Sequence, residues 1–264
     1  MSSSIIDFFR KYNNWYVHLQ YHRFNLLLSA LVILYLSMPV IQLSFPGPDH
    51  IMGRIIIAAL FAALLLAVIF AISRRPLVFR IALWLAVPYL VLDVAVVFTD
   101  NSAVEILQHV INIVFLGFIS LAILSYVFSV ETIRFNTISA ALCVYLMLGL
   151  LWAVVFSLLT FIDKDAFNMS FETNTEVSEK MRFGSGDSIY PVYFSIVTLT
   201  TLGYGDITPA NSFSRTLASF EAMMGQLYLA VLVARLVSMH TSQSFRRRYG
   251  GQESEEPPPP DRKN

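Results

Sequence analysis

The sequence is poor in charge and nearly devoid of cysteine. Lys and Arg number 18 and Asp and Glu 18 in 264 residues, 14% of the chain, against 56% hydrophobic residues. Mean hydropathy is +0.63. So little polar surface cannot coat a water-soluble globule of this length, which excludes an ordinary soluble domain. The charges sum to zero, and no nucleic-acid partner is expected, although where charges lie says more in such a chain than their total. The single cysteine, Cys143, sits in an apolar run, which excludes an intrachain disulfide and favours a buried, inert thiol. Also missing are an internal repeat of the kind inverted-repeat transporters carry and a small-residue cleavage site after the first apolar run. That run is therefore expected to be retained.

What is present is a set of long apolar runs: Phe24–Leu43, Ile55–Ile72, Ile81–Thr99, Ala103–Ser129, Ile138–Ile162 and Phe213–Met239. Each approaches or exceeds the roughly 20 residues that cross a bilayer as helix. Lone strands cannot satisfy their backbone groups in hydrocarbon, so helix is predicted for all of them, with Pro39 and Pro88 as candidate kinks. Before them, residues 5–23 mix Trp15, Tyr16 and Tyr21 with Arg10 and Lys11, the composition of a segment at headgroup level. Counting Lys and Arg near the spans, a cytoplasmic N-terminus collects Arg74, Arg75, Arg80, Arg134, Arg235 and Arg246 to Arg248 inside. Both termini are then cytoplasmic in a multi-pass protein of the cell membrane, and the acidic loop from Asp163 to Tyr190 is outside.

Between the fifth and sixth runs, Pro191–Thr200 is too short to cross the membrane yet apolar enough to enter it. It is predicted to be a re-entrant half-helix, with Pro191 suited to its first turn, Asp187 and Ser188 as caps, and glycines ending it. Irregular backbone at that depth persists only where protein buries it or a water-filled path borders it. The half-helix runs into Thr201-Leu202-Gly203-Tyr204-Gly205-Asp206. Glycine reaches φ > 0 without strain, so a strand with glycine at alternate positions can turn successive carbonyls toward one side.

This arrangement resembles the pore loop of the potassium channel superfamily, especially compact prokaryotic channels with a single pore loop. The resemblance covers about Ile138 to Met239 and, in layout only, the first four spans. It implies a selectivity filter at Thr201, Leu202, Gly203, Tyr204 and Gly205, in which carbonyls replace the hydration shell of K⁺. Coordinating oxygens would come from Thr201, Leu202, Gly203 and Tyr204, with K⁺ the only metal. It also implies filter support from Asp206, Thr198, Thr200, Tyr193 and Phe194, the last two at positions that are often tryptophan. Leu202 stands where valine is commonest, and Val197 where some members carry a glutamate. Gly225 falls where the family often has an inner-helix hinge, though close helix packing is an equal reason for a glycine there. Glu221, one turn earlier, is an intramembrane carboxylate and so a candidate polar site, facing the ions or packing behind the filter.

Other polar groups offer weaker candidates. Asp93, Glu105 and His109 lie toward the outer ends of the third and fourth spans, and Glu105 and His109 share a helix face. An interfacial cluster suits them better than a metal site. Ser185 in Gly184-Ser185-Gly186 has no evident base for an enzyme's nucleophile. Arg246 to Arg248 suit lipid binding or simple anchoring.

The expected fold is thus an all-α membrane protein: six transmembrane helices plus a re-entrant pore helix and filter loop between spans five and six. The chain divides into a cytoplasmic interfacial segment (1–23), a four-helix unit laid out like a voltage sensor but without gating charges (24–129), a linker (130–137), a pore domain (138–245) and a disordered, proline-containing cytoplasmic tail (246–264). The expected function is passive K⁺ conduction by a homotetramer in contact with membrane lipid. No cofactor and no enzyme activity are expected. The rivals are a weakly selective cation channel, a membrane enzyme and a non-conducting modulatory subunit.

Overall fold

The structure is a computed structural model that describes residues 22–45, 51–73, 75–99, 101–130, 135–170 and 189–249, the side chains of 51, 54, 97 and 239–249 excepted. The expected interfacial segment before 22, Asp187, Ser188, Ser185 and the tail from 250 lie outside these residues.

Six helices are long and apolar enough to cross a membrane. They are α1 (Arg23–Ser44), α2 (Ile51–Ile72), α3 (Pro76–Phe98), α4 (Ser102–Ser129), α5 (Phe135–Ile162) and α7 (Ser212–Tyr249), with a short α6 (Ile189–Leu199) between the last two. The fold is that of an all-α membrane protein. Helix ends differ from the apolar runs by up to several residues, because a run marks the part that suits hydrocarbon and the helix continues into its flanks. Pro76, for example, opens α3, where its missing N–H is no loss. Pro39 and Pro88 lie inside α1 and α3. Helix α7 runs on to Tyr249, so the backbone of Arg246 to Arg248 is helical rather than part of a tail.

Consecutive helices pack on one another from α1 to α5, and α1 also packs on α5. Only Val130 to Arg134 separate α4 from α5. At about 3.3–3.6 Å per residue such a connection cannot carry α5 far, so α5 returns beside α4. On α1 the buried stripe Phe24, Leu27, Leu31, Leu34, Met38 and Ile41 repeats every three to four residues and forms one core with Ala140, Val144 and Met147 of α5. Polar bonds fasten the same two helices: Phe24 N donates to Asn136 Oδ1 (3.2 Å) and Tyr35 Oη to the Leu146 carbonyl (2.7 Å).

The C-terminal end of α4, the negative end of its dipole, gathers three arginines. Arg75 donates to Ser125 and Ser129, Arg235 to the carbonyls of Phe128 and Val130, and Arg23 lies over the Tyr126 ring.

A small antiparallel sheet departs from the all-helical expectation. Phe167–Met169 (β1) pairs with Ile207–Pro209 (β2), with Asn168 opposite Thr208. The pairing fixes the chain leaving Asp206 against the segment that follows α5, and the Asn211 side chain, bonded to Asp163 at 2.6 Å, ties the start of α7 to the same place.

Candidate functional site: the pore loop

Helix α6 begins two residues earlier than predicted, at Ile189, and ends at Leu199. It is embedded: Pro191, Val192, Phe194, Ser195, Val197 and Leu199 are buried. One side packs on α5 and the other on α7. The two threonines at its end close its last turn. Thr200 Oγ1 donates to the Ile196 carbonyl (2.7 Å), and the Thr198 carbonyl accepts from Thr201 N (2.9 Å).

From Thr201 the backbone changes character. Thr201, Gly203 and Gly205 have φ of 58°, 60° and 80°, and among the described residues Thr201 is the only non-glycine with positive φ. The sign of φ therefore alternates from 201 to 205. Left-handed backbone is free for glycine but strained for threonine, and such strain persists where the surroundings over-determine it. Here the surroundings are donors: Leu202 N and Gly203 N both point back to the Val197 carbonyl, at 2.9 and 3.3 Å. With the amides turned inward, the carbonyls of Thr201, Leu202, Gly203 and Tyr204 accept no hydrogen bond among the described residues, and these residues are exposed. The result is a short row of bare carbonyl dipoles, a place for a cation rather than for an anion or a nucleophile.

Asp206 ends the row and is held on several sides. Tyr193 Oη donates to its Oδ2 (2.6 Å), Ile207 N donates to Oδ1 (3.0 Å), and Ser170 donates to its backbone carbonyl. The Tyr193 ring also lies nearly parallel to that of Tyr204, with centroids 6.4 Å apart. Phe194 faces the other way, edge-on to Phe156 and Phe167, in a cluster that includes Ile207.

On the inner side, α7 presents three residues to the loop. Gln226 Nε2 donates to Thr201 Oγ1 (3.2 Å), Gly225 abuts the Leu199 carbonyl, and Glu221 meets Ser195. Glu221 is fully buried, so it packs behind the loop. The structure thus brings together every predicted residue of the pore loop, with Gly225 and Glu221 behind it. Gln226 and Ser195 were missed. A glutamine inside an apolar span was a visible signal for the first; a serine in a half-helix carries none.

The outer polar groups stand apart from this site. Gln108 donates to Asp93 (3.0 Å), and His109 lies between the backbone carbonyl of Glu105 (2.7 Å) and Ser157 Oγ (3.0 Å). No cluster of three or more metal-ligating side chains occurs among the described residues.

With this geometry in view, similarity to known proteins becomes informative. A family described as "Ion channel" matches residues 136–242, which span α5, the pore loop and most of α7. The chain is 30% identical over 98 residues to the inward rectifier potassium channel Kirbac3.1 of Paramagnetospirillum magnetotacticum, covering 36% of this chain and 32% of that one. It is 29% identical over 103 residues to two-pore potassium channel 2 of Arabidopsis thaliana, covering 39% and 19%. Over this region the chain is similar to ion channels, potassium channels among them. The chain spans about a third or less of the length of the curated relatives it matches. No solved structure matches it. The family match begins at residue 136, at the start of α5, so α1 to α4 lie outside it. Likeness to an ion-channel family points to a non-enzyme.

Proposed function

We propose that the chain is one subunit of a homotetrameric, K⁺-selective channel that conducts passively through the pore loop. The observation that carries this is the row of exposed, hydrogen-bond-free carbonyls from Thr201 to Tyr204, made by alternating φ and by amides committed to Val197. A dehydrated K⁺ needs a cage of such oxygens, and the known solution uses four loops around one axis. One chain supplies one loop, and cyclic symmetry supplies the rest. The α7 surface is in keeping with this: most of its apolar length is not buried within the chain, whereas more than half of that of α5 is. Phe220, Met223, Leu227 and Val231 are exposed, a face suited to neighbouring subunits.

In this reading Gly205 and Asp206 close the outer mouth, and Tyr193, Phe194, Thr198 and Thr200 hold the filter. No cofactor is needed beyond the permeant ion. Helices α1 to α4 form a collar against membrane lipid, in a cell membrane with both termini cytoplasmic.

The test is reconstitution of the purified protein in planar bilayers under a K⁺/Na⁺ gradient. The expected reversal potential follows the K⁺ gradient, Rb⁺ permeates and Ba²⁺ blocks. A reversal potential indifferent to K⁺ would leave the weakly selective cation channel as the better account. Native mass spectrometry of a conducting preparation is expected to show tetramers; monomers or dimers alone would contradict the assembly.

A further inference from the structure

Behind the filter, three helices meet on one hydroxyl. Ser195 Oγ of α6 lies 2.7 Å from the Gly149 carbonyl of α5 and 2.5 Å from Glu221 Oε1 of α7. Ser195 and Glu221 have 0% exposure, so no bulk water completes the set. A serine hydroxyl has one proton to donate, and a backbone carbonyl can only accept. Both short contacts are hydrogen bonds only if Ser195 donates to Gly149 and accepts from Glu221. A carboxyl group donates only in its acid form. The opposite order sends the Ser195 proton to a carboxylate and sets the Gly149 carbonyl against bare lone pairs. It also leaves an ionised group whose other oxygen, Oε2, is buried without a hydrogen-bond partner among the described residues, a costly arrangement in the interior.

Among the described residues, the titratable groups that interact with Glu221 are two phenols, Tyr35 from α1 and Tyr145 from α5. Tyr35 Oη already donates to the Leu146 carbonyl and Tyr145 Oη to the Leu199 carbonyl, so neither phenol proton is free to stabilise a carboxylate.

We infer that Glu221 is held as the neutral acid and is a positioning residue for the filter, the first donor in a chain from Glu221 to Ser195 to the Gly149 carbonyl. That chain pins α6 between α5 and α7 one turn before the helix ends at Leu199. The same α7 surface then meets the loop twice more, at Gly225 against Leu199 and at Gln226 on Thr201. The depth and direction in which α6 delivers Thr201 are thus set by α7. The role as a filter-positioning group rests on the channel proposal; the protonation state does not.

Two measurements separate these. Infrared difference spectra of the full-length protein in lipid, wild type minus Glu221→Gln at neutral pH, are expected to show the carbonyl stretch of a carboxylic acid. Carboxylate bands in that difference would overturn the inference whether or not the protein conducts. In bilayers, Glu221→Ala removes the donor and is expected to lower the K⁺/Na⁺ permeability ratio about tenfold, the scale of one buried unmet hydrogen bond. Glu221→Gln, whose amide can donate to Ser195, is expected to restore the ratio. A wild-type ratio in Glu221→Ala would overturn the positioning role. Wild-type protein with no K⁺ selectivity would instead overturn the channel proposal and leave the infrared result standing.

Discussion

Gly225 of α7 and Leu199 of α6 meet backbone to backbone: a Cβ at Gly225 would run into the Leu199 carbonyl oxygen. No rotamer change relieves a clash with a carbonyl. Gly225→Ala is therefore expected to force the two helices apart, at about 1–3 kcal/mol per subunit. Thermal melting in detergent checks this, with a lowered midpoint expected together with reduced current. An unchanged midpoint with altered open probability would favour a hinge at Gly225 instead.

At Gly203 the reason for glycine is different. A built Cβ meets nothing within 4 Å, but φ is +60°. Gly203→Ala therefore incurs no clash and pays only the left-handed penalty of about 1–2 kcal/mol in each copy. The expected outcome is a protein that assembles normally but has lost K⁺-selective current, checked by size-exclusion chromatography beside bilayer recording. Selective current at the wild-type level would refute the carbonyl ladder.

Tyr193→Phe keeps the ring over Tyr204 and deletes the bond to Asp206 (2.6 Å). The lost bond to a carboxylate is worth about 1.5 kcal/mol. Bracing matters most when no cation offsets the mutual repulsion of the carbonyls. The variant is expected to conduct in K⁺ but to recover less current than wild type after a K⁺-free wash; equal recovery would contradict the bracing role.

Voltage is expected to act weakly. A charge moved across the field yields about 2.3 kcal/mol per 100 mV, and α4 contains no Arg or Lys. Two of its polar residues toward the N-terminal end are engaged: Gln108 with Asp93, and His109 with the Glu105 carbonyl and Ser157. A nearly flat conductance–voltage relation is expected. A steep curve accompanied by gating current under pore block would overturn it.

The spans and the pore loop were legible because their signals are local. Hydrocarbon length and the scarcity of charge mark a helix without reference to anything outside it, and the run from Thr201 to Asp206 carries its glycines in the positions its backbone needs. Boundaries were less legible: α3 starts at Pro76, before the charged Arg80 that ended the apolar pattern. The β1–β2 pair was invisible because three-residue strands have no periodicity. Its register joins Phe167 to Pro209, a relation that neither segment announces.

By itself the sequence determined that this is a membrane protein of six spanning helices, that a short helix and a glycine-punctuated strand lie between the last two, and that the fourth span holds no gating charge. Those properties follow from composition along the chain. Only the tertiary structure decided what holds the strand in place. Tyr193 reaches Asp206 across 13 residues, Ser195 reaches Glu221 across 26, and Gln226 reaches Thr201 across 25. Buried polar groups must find partners wherever packing brings them. Which tyrosine, serine or glutamine serves is settled by how α5, α6 and α7 lie against one another, and sequence spacing does not contain that.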